Sequence, residues 1–119
     1  MSEDASQVIV IKRMADVHLI EFMVTGLTDQ AAIQQVGEEI EALVERSGVP
    51  KVVVDFGGLQ NVSSAMLGVL ISVNRQVQSM GGELRLAEVP ESIMEVFKLT
   101  RLDKILKIFA STDLAMARF

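Results

Sequence analysis

Between Pro50 and Gly57 the chain reads Lys-Val-Val-Val-Asp-Phe. Three successive valines leave no polar face, and β-branching favours an extended backbone. Such a strand is buried on both sides, which places it inside a parallel or mixed sheet carrying crossover helices. The flanking segments fit that frame. Val8 to Ile11 and Val17 to Thr25 are strand-like runs separated by the polar stretch Lys12 to Asp16, which predicts a hairpin ended by Gly26. Thr28 or Asp29 can cap a helix whose apolar residues Ile33, Val36, Ile40, Leu43 and Val44 recur at spacings of three and four. Ser47, Gly48 and Pro50 close it.

After the valine strand, Gly57-Gly58 opens a loop, and a second helix runs from Ser63 or Ser64 to about Met80, where Gly81-Gly82 stops it. Glu83 to Val89 predicts a strand with Leu84 and Leu86 alternating against Arg85. Pro90 suits the first turn of a helix over Glu91 to Leu99. Ile105 to Phe109 reads as a last strand, and Thr112 or Asp113 starts a short helix. The order ββαβαβαβα places the chain in the α/β class.

At 119 residues the length predicts a single domain. Half of the residues are hydrophobic, yet there are five Phe and no Trp or Tyr, so the core is aliphatic. Without cysteine there is no disulfide or thiolate chemistry, and a lone histidine, His18, cannot build a histidine metal cluster. A formal charge of −5 argues against nucleic-acid binding through phosphates. The first seven residues are polar and acidic, unlike a signal peptide, and no apolar run approaches the roughly 18 residues of a membrane span. The expectation is a soluble cytoplasmic protein that needs no cofactor or metal and does not insert into a membrane. His18 reads as a surface or hydrogen-bonded side chain, and Asp55 as a turn cap at a strand's carboxyl end. Gly57-Gly58 lacks any phosphate-loop pattern. No nucleophile–base–orienter set is visible, so catalysis is not expected.

The second helix carries the functional interest. At about 100° per residue, Met66, Leu70, Val73, Val77 and Met80 form one inward stripe with Val69 at its edge. Ser64, Gly68, Ile71, Arg75 and Gln78 fall opposite, with Leu67 at the boundary. Ser63 reads as the cap and Ser64 as an outward hydroxyl in the first turn. A glycine inside a helix costs on the order of 1 kcal/mol against alanine, so Gly68 marks close approach by another backbone, from a partner or from within the domain. Ile71 beside it reads as a small apolar docking spot. Phosphate on Ser64 adds about −1.5 to −2 charge, which a helix N-terminus can stabilise while a partner docked over Gly68 and Ile71 is repelled.

These residues bring a family into view. Gly26-Leu27-Thr28-Asp29 resembles the turn after the second strand of STAS domains, the fold of bacterial anti-sigma factor antagonists, and Val52 to Phe56 resembles their central strand. Ser63-Ser64-Ala65-Met66-Leu67-Gly68-Val69-Leu70 resembles their phosphorylation segment, with Ser63 where Asp is usual and Met66 where Gly is usual. Gly81-Gly82-Glu83-Leu84 and Phe97 to Leu102 resemble the family's last part. The resemblance covers about Val8 to Ala110. It implies a four- to five-stranded mixed sheet with helices mainly on one face. It also implies an anti-sigma factor or serine protein kinase as partner, with Ser64 as the phosphorylated residue and Ser63 as second choice. Asp29, Ser63, Ser64, Leu67, Gly68, Ile71 and Arg75 would form the partner surface, and a homodimer is compatible with it. The other reading that the resemblance allows is a non-switching STAS subunit of a larger assembly, such as a sensory scaffold or lipid transporter complex.

Overall fold

The valine run is the middle of the structure. In a computed structural model, which describes residues 8–119, five strands form one sheet: β1 (Ile9–Met14), β2 (Val17–Phe22), β4 (Lys51–Asp55), β6 (Glu83–Ala87) and β7 (Lys107–Phe109), in the order β1-β2-β4-β6-β7. β1 and β2 are the expected antiparallel hairpin, turning at Ala15 with φ 59°. All other neighbours pair in parallel, so β4 lies between β2 and β6. Val52, Val53 and Val54 are each at most 1% exposed, as a two-sided strand requires.

Helices α1 (Gln30–Glu45), α2 (Ser64–Ser79) and α3 (Glu91–Leu99) are the crossovers, and a short α4 (Thr112–Met116) follows β7. The α1 stripe is buried as predicted, together with Gly37. Phe56 is fully buried and edge-to-face with Phe22 at 5.4 Å and Phe97 at 6.1 Å. Gly81 and Gly82 do more than stop α2. Gly81, at φ 79°, and Gly82 donate their N–H groups to the carbonyls of Gln78 and Val77, a Schellman closure. A Cβ on Gly82 would lie 2.0 Å from the Pro50 carbonyl oxygen, so the chain can pass there only as glycine.

The sequence reading did not include a second, two-stranded sheet, in which β3 (Gly26–Leu27) pairs in parallel with β5 (Asn61–Val62). Two-residue strands carry no periodicity to read. Gln60 N–H donates to Thr25 and Ser63 N–H to Leu27, extending this pairing. Arg85 alternates against Leu84 and Leu86 as expected, but the face it takes is an interior: it is 7% exposed, under α4 on the second face of the sheet.

Candidate functional site

The β3–β5 pairing brings the starts of α1 and α2 together, because Leu27 and Val62 are register partners and each strand leads directly into a helix. The two helix starts are finished differently. Asp29 caps α1, its Oδ2 accepting from Ala32 N–H at 2.9 Å. Ser63 occupies the N-cap position of α2, but its side chain makes no cap hydrogen bond, and its Oγ is buried without a partner. The cap role expected of the Ser63 hydroxyl is therefore corrected to a position only. Among the described residues, no side chain caps the first-turn N–H groups of α2.

Ser64 is the first residue of α2 and is exposed. Gly68, one turn on, is exposed too, and a Cβ built there would meet nothing within 4 Å. Close packing inside the protein therefore does not explain Gly68. That role falls to Gly37 of α1, whose Cβ would lie 3.3 Å from Val69 of α2. A glycine interrupting the α1 stripe was the available signal for this contact. Arg75 is exposed, as the wheel predicts. Two expected surface residues differ. Leu67 is 8% exposed and belongs to the core, and Ile71 is half-buried and packed against it. The helix sits in the angle between sheet and α1, so its buried arc is wider than one stripe. Ser64, Gly68 and Arg75 thus share an open face, whereas Leu67 and Ile71 lie beneath its edge.

Around the carboxyl ends of β4 and β6, Asp55 caps a turn, its Oδ1 accepting from Gly57 N–H at 2.7 Å. Its other oxygen accepts from Thr112 Oγ1 at 3.0 Å, while Glu88 accepts from Thr112 N–H at 2.9 Å. These carboxylates are thus engaged in holding the start of α4. Among the described residues, no group of three or more His, Cys, Asp or Glu could hold a metal ion, and no helix is long and apolar enough to cross a membrane.

The most unexpected polar group is Arg85. Its Nη1 donates to the carbonyls of Ala115 and Ala117 at 2.8 and 2.7 Å, and its Nη2 to that of Arg118 at 3.0 Å. Its Nε pairs with Glu83 at 2.6 Å. The Phe109 and Phe119 rings flank the guanidinium at 4.9 and 4.1 Å. That hydrogen bond to Arg85 is the main reason the Glu83 carboxyl is held below its ordinary value, against an opposing effect of burial.

Comparison with known proteins gives a consistent picture. Residues 9–115 match the family described as "STAS domain". The Bordetella bronchiseptica protein named "Putative anti-sigma factor antagonist BtrV" is 34% identical over 94 residues, 79% of this chain and 80% of that one. An anti-sigma-factor antagonist (STAS) domain protein from Planctomyces limnophilus shares the fold with a TM-score of 0.80, at 20% identity over 90% of this chain and 92% of that one. The Bacillus cell fate determinant SpoIIAA, solved in its phosphorylated form, does so with a TM-score of 0.73, at 17% identity over 92% and 97%.

Proposed function

The chain belongs to the STAS domain family, among the anti-sigma factor antagonists, and from that premise we propose that it is a serine-switched one. Unmodified, it binds an anti-sigma factor through the open face of α2 and so withholds that factor from its sigma factor. Phosphorylation of Ser64, by the partner acting as a serine kinase, ends the binding. The protein acts in the cytoplasm as one binding domain and catalyses nothing itself.

The observation that carries this reading is the division between the two serines. Ser63 has its hydroxyl buried, whereas Ser64 is exposed at the start of a 16-residue helix. Because no side chain among the described residues caps α2, first-turn N–H groups and the positive end of the helix dipole can stabilise a phosphate on Ser64. The fold can then accept the modification. A partner backbone lying over Gly68 meets instead a bulky dianion of about −1.5 to −2 charge that must be desolvated. A solved phosphorylated form of SpoIIAA, a protein of the same fold, supports the chemistry. Asp29, engaged in capping α1, shapes the neighbouring rim.

The test is affinity for the anti-sigma factor captured from the native cell. Ser64→Ala binds as the unmodified protein does and takes up no phosphate. Ser64→Asp binds at least about tenfold more weakly, with an unchanged thermal midpoint. Equal affinities for wild type and Ser64→Asp would falsify the switch. Stable co-purification with a large assembly, with Ser64 always unmodified, would favour the non-switching subunit.

A further inference from the structure

The end of the sheet opposite Ser64 holds a cavity of about 300 Å³, between the β1–β2 hairpin, the carboxyl end of α1 and the start of β4. Its walls include Arg13 from β1, Asp16 from the hairpin turn, His18 from β2, Arg46 and Ser47 from the end of α1, and Lys51 from β4. Three permanent cations face one carboxylate, leaving two positive charges in excess, in a chain whose formal charge is −5. Lys51 is paired with Asp16 at 2.7 Å. Among the described residues neither arginine has a carboxylate partner. Among those residues, Arg13 donates its Nε to the Ala15 carbonyl at 3.2 Å. Both arginines lie on exposed positions, so their guanidinium groups are available to a ligand.

The half-buried His18 adds an independent observation: its Nδ1 is buried and has no hydrogen-bond partner. A buried polar atom left unpaired is costly, so such atoms call for a function or a ligand. Burial first, then the charges of Arg13 and Arg46, hold the His18 imidazole below its ordinary value of 6.5. An anion seated among the arginines offsets their charges and favours the protonated imidazole, against the burial that remains. The carboxyl end of α1 opposes an anion with about half a negative charge. Two uncompensated cations outweigh it.

We propose that this cavity is a binding site for a small molecule carrying a phosphoryl dianion, held by Arg13 and Arg46 and lying beside His18. Guanidinium groups match phosphate oxygens in paired hydrogen bonds, and two of them balance a dianion. The volume is at the lower end for ligand pockets, which suits a small phosphate ester and excludes a nucleotide with its base enclosed. Since Ser64 lies beyond the other end of β4, the site is separate from the partner face.

Because His18 is the only histidine, its ring resonances are free of overlap and report directly on the cavity. The experiment titrates the labelled full chain with glycerol 3-phosphate, with inorganic phosphate and with hexaglutamate, at constant ionic strength, following the His18 ring by NMR. Expected is a saturable shift with glycerol 3-phosphate and a rise in the pH midpoint of His18 when it is bound. Saturation by inorganic phosphate as well also supports the site and assigns recognition to the phosphoryl group alone. Arg13→Gln combined with Arg46→Gln weakens binding by about tenfold or more, and the matching lysine pair keeps part of it. Four results overturn the proposal: no saturation with either phosphate, an unchanged His18 midpoint on saturation, an undiminished response in the double glutamine variant, or saturation by hexaglutamate alone.

Discussion

Beneath α1 and α2 the sheet presents Ile20, Val52, Val54, Leu84 and Leu86 to aliphatic helix stripes; on the opposite face, Val17, Leu19, Val53 and Ala87 meet α4, five residues long. The first cover is secured by area. Its helices have 16 residues each, and their inward positions are nearly all apolar. The second cannot be secured that way, because so short a helix buries little and is marginal by itself. It is tied at both ends by polar groups instead. Glu88 and Asp55 hold Thr112, and Arg85 holds the carbonyls at the other end. Register puts Leu19, Val53 and Arg85 side by side on adjacent strands, so the clamp stands in an otherwise apolar row. A sheet with one thick cover can thus complete its second face with few residues, provided that one charged group is buried and paired, as Arg85 is by four hydrogen bonds.

The difference can be broken from both sides. Phe56→Ala removes a fully buried ring from the first face and should cost about 3–5 kcal/mol of global stability, read by chemical denaturation. Arg85→Met should cost less globally, about 2 kcal/mol, but should free the segment after Ala110 to limited proteolysis and fast amide exchange. If Arg85→Met lost as much stability as Phe56→Ala with no local release, the two faces would be one cooperative unit and the contrast would fail.

A finer version compares two helix glycines of the first cover, the exposed Gly68 and the buried Gly37. Gly68→Ala meets open space and should stabilise by about 0.5–1 kcal/mol, while weakening partner binding. Gly37→Ala gains the same helix propensity but presses on Val69 at 3.3 Å, so its net gain should be smaller or absent. Equal gains at the two positions would mean that the α1–α2 contact is looser than it looks.

The smallest effect is in pH. Glu83 has its folded value depressed by Arg85, so its contribution is present above the ordinary value of 4.5 and is lost as pH falls through the lowered folded value. Thermal midpoints of wild type and Arg85→Met should therefore converge as pH drops below that ordinary value. Parallel curves down to strong acid would remove Glu83 from the clamp.

Much of this was legible in the chain. The α3 bounds, Glu91–Leu99, follow from Pro90 and the apolar spacing, and the burial of β4 from its valines, because those signals are local. The outward placement of Ser64 and Gly68 was readable for the same reason: a helix of regular pitch has a face. Leu67 and Ile71 were misplaced because the wheel knows the pitch of α2 but not the width of the surfaces around it. Arg85 was placed on the side opposite Leu84 and Leu86 because strand alternation assigns a side, and only α4 made that side an interior. His18 read as a satisfied or surface residue, since nothing nearby in sequence tells that Arg13, Arg46 and Lys51 gather around it.

Sequence alone determined the order of the main-sheet strands and their helices, the two-sided central strand, the family and the serine pair at a helix start. Each rests on periodicity, turn chemistry or a contiguous motif, all carried by neighbours along the chain. Tertiary structure decided that the Ser63 hydroxyl is buried rather than capping, which glycine serves helix packing, that Arg85 is a buried clamp, and that a basic cavity forms at the far end of the sheet. Those properties depend on groups some 30 residues apart in the chain, as Arg85 and Ala115 are, and their burial and charge exist only once the sheet has set them side by side.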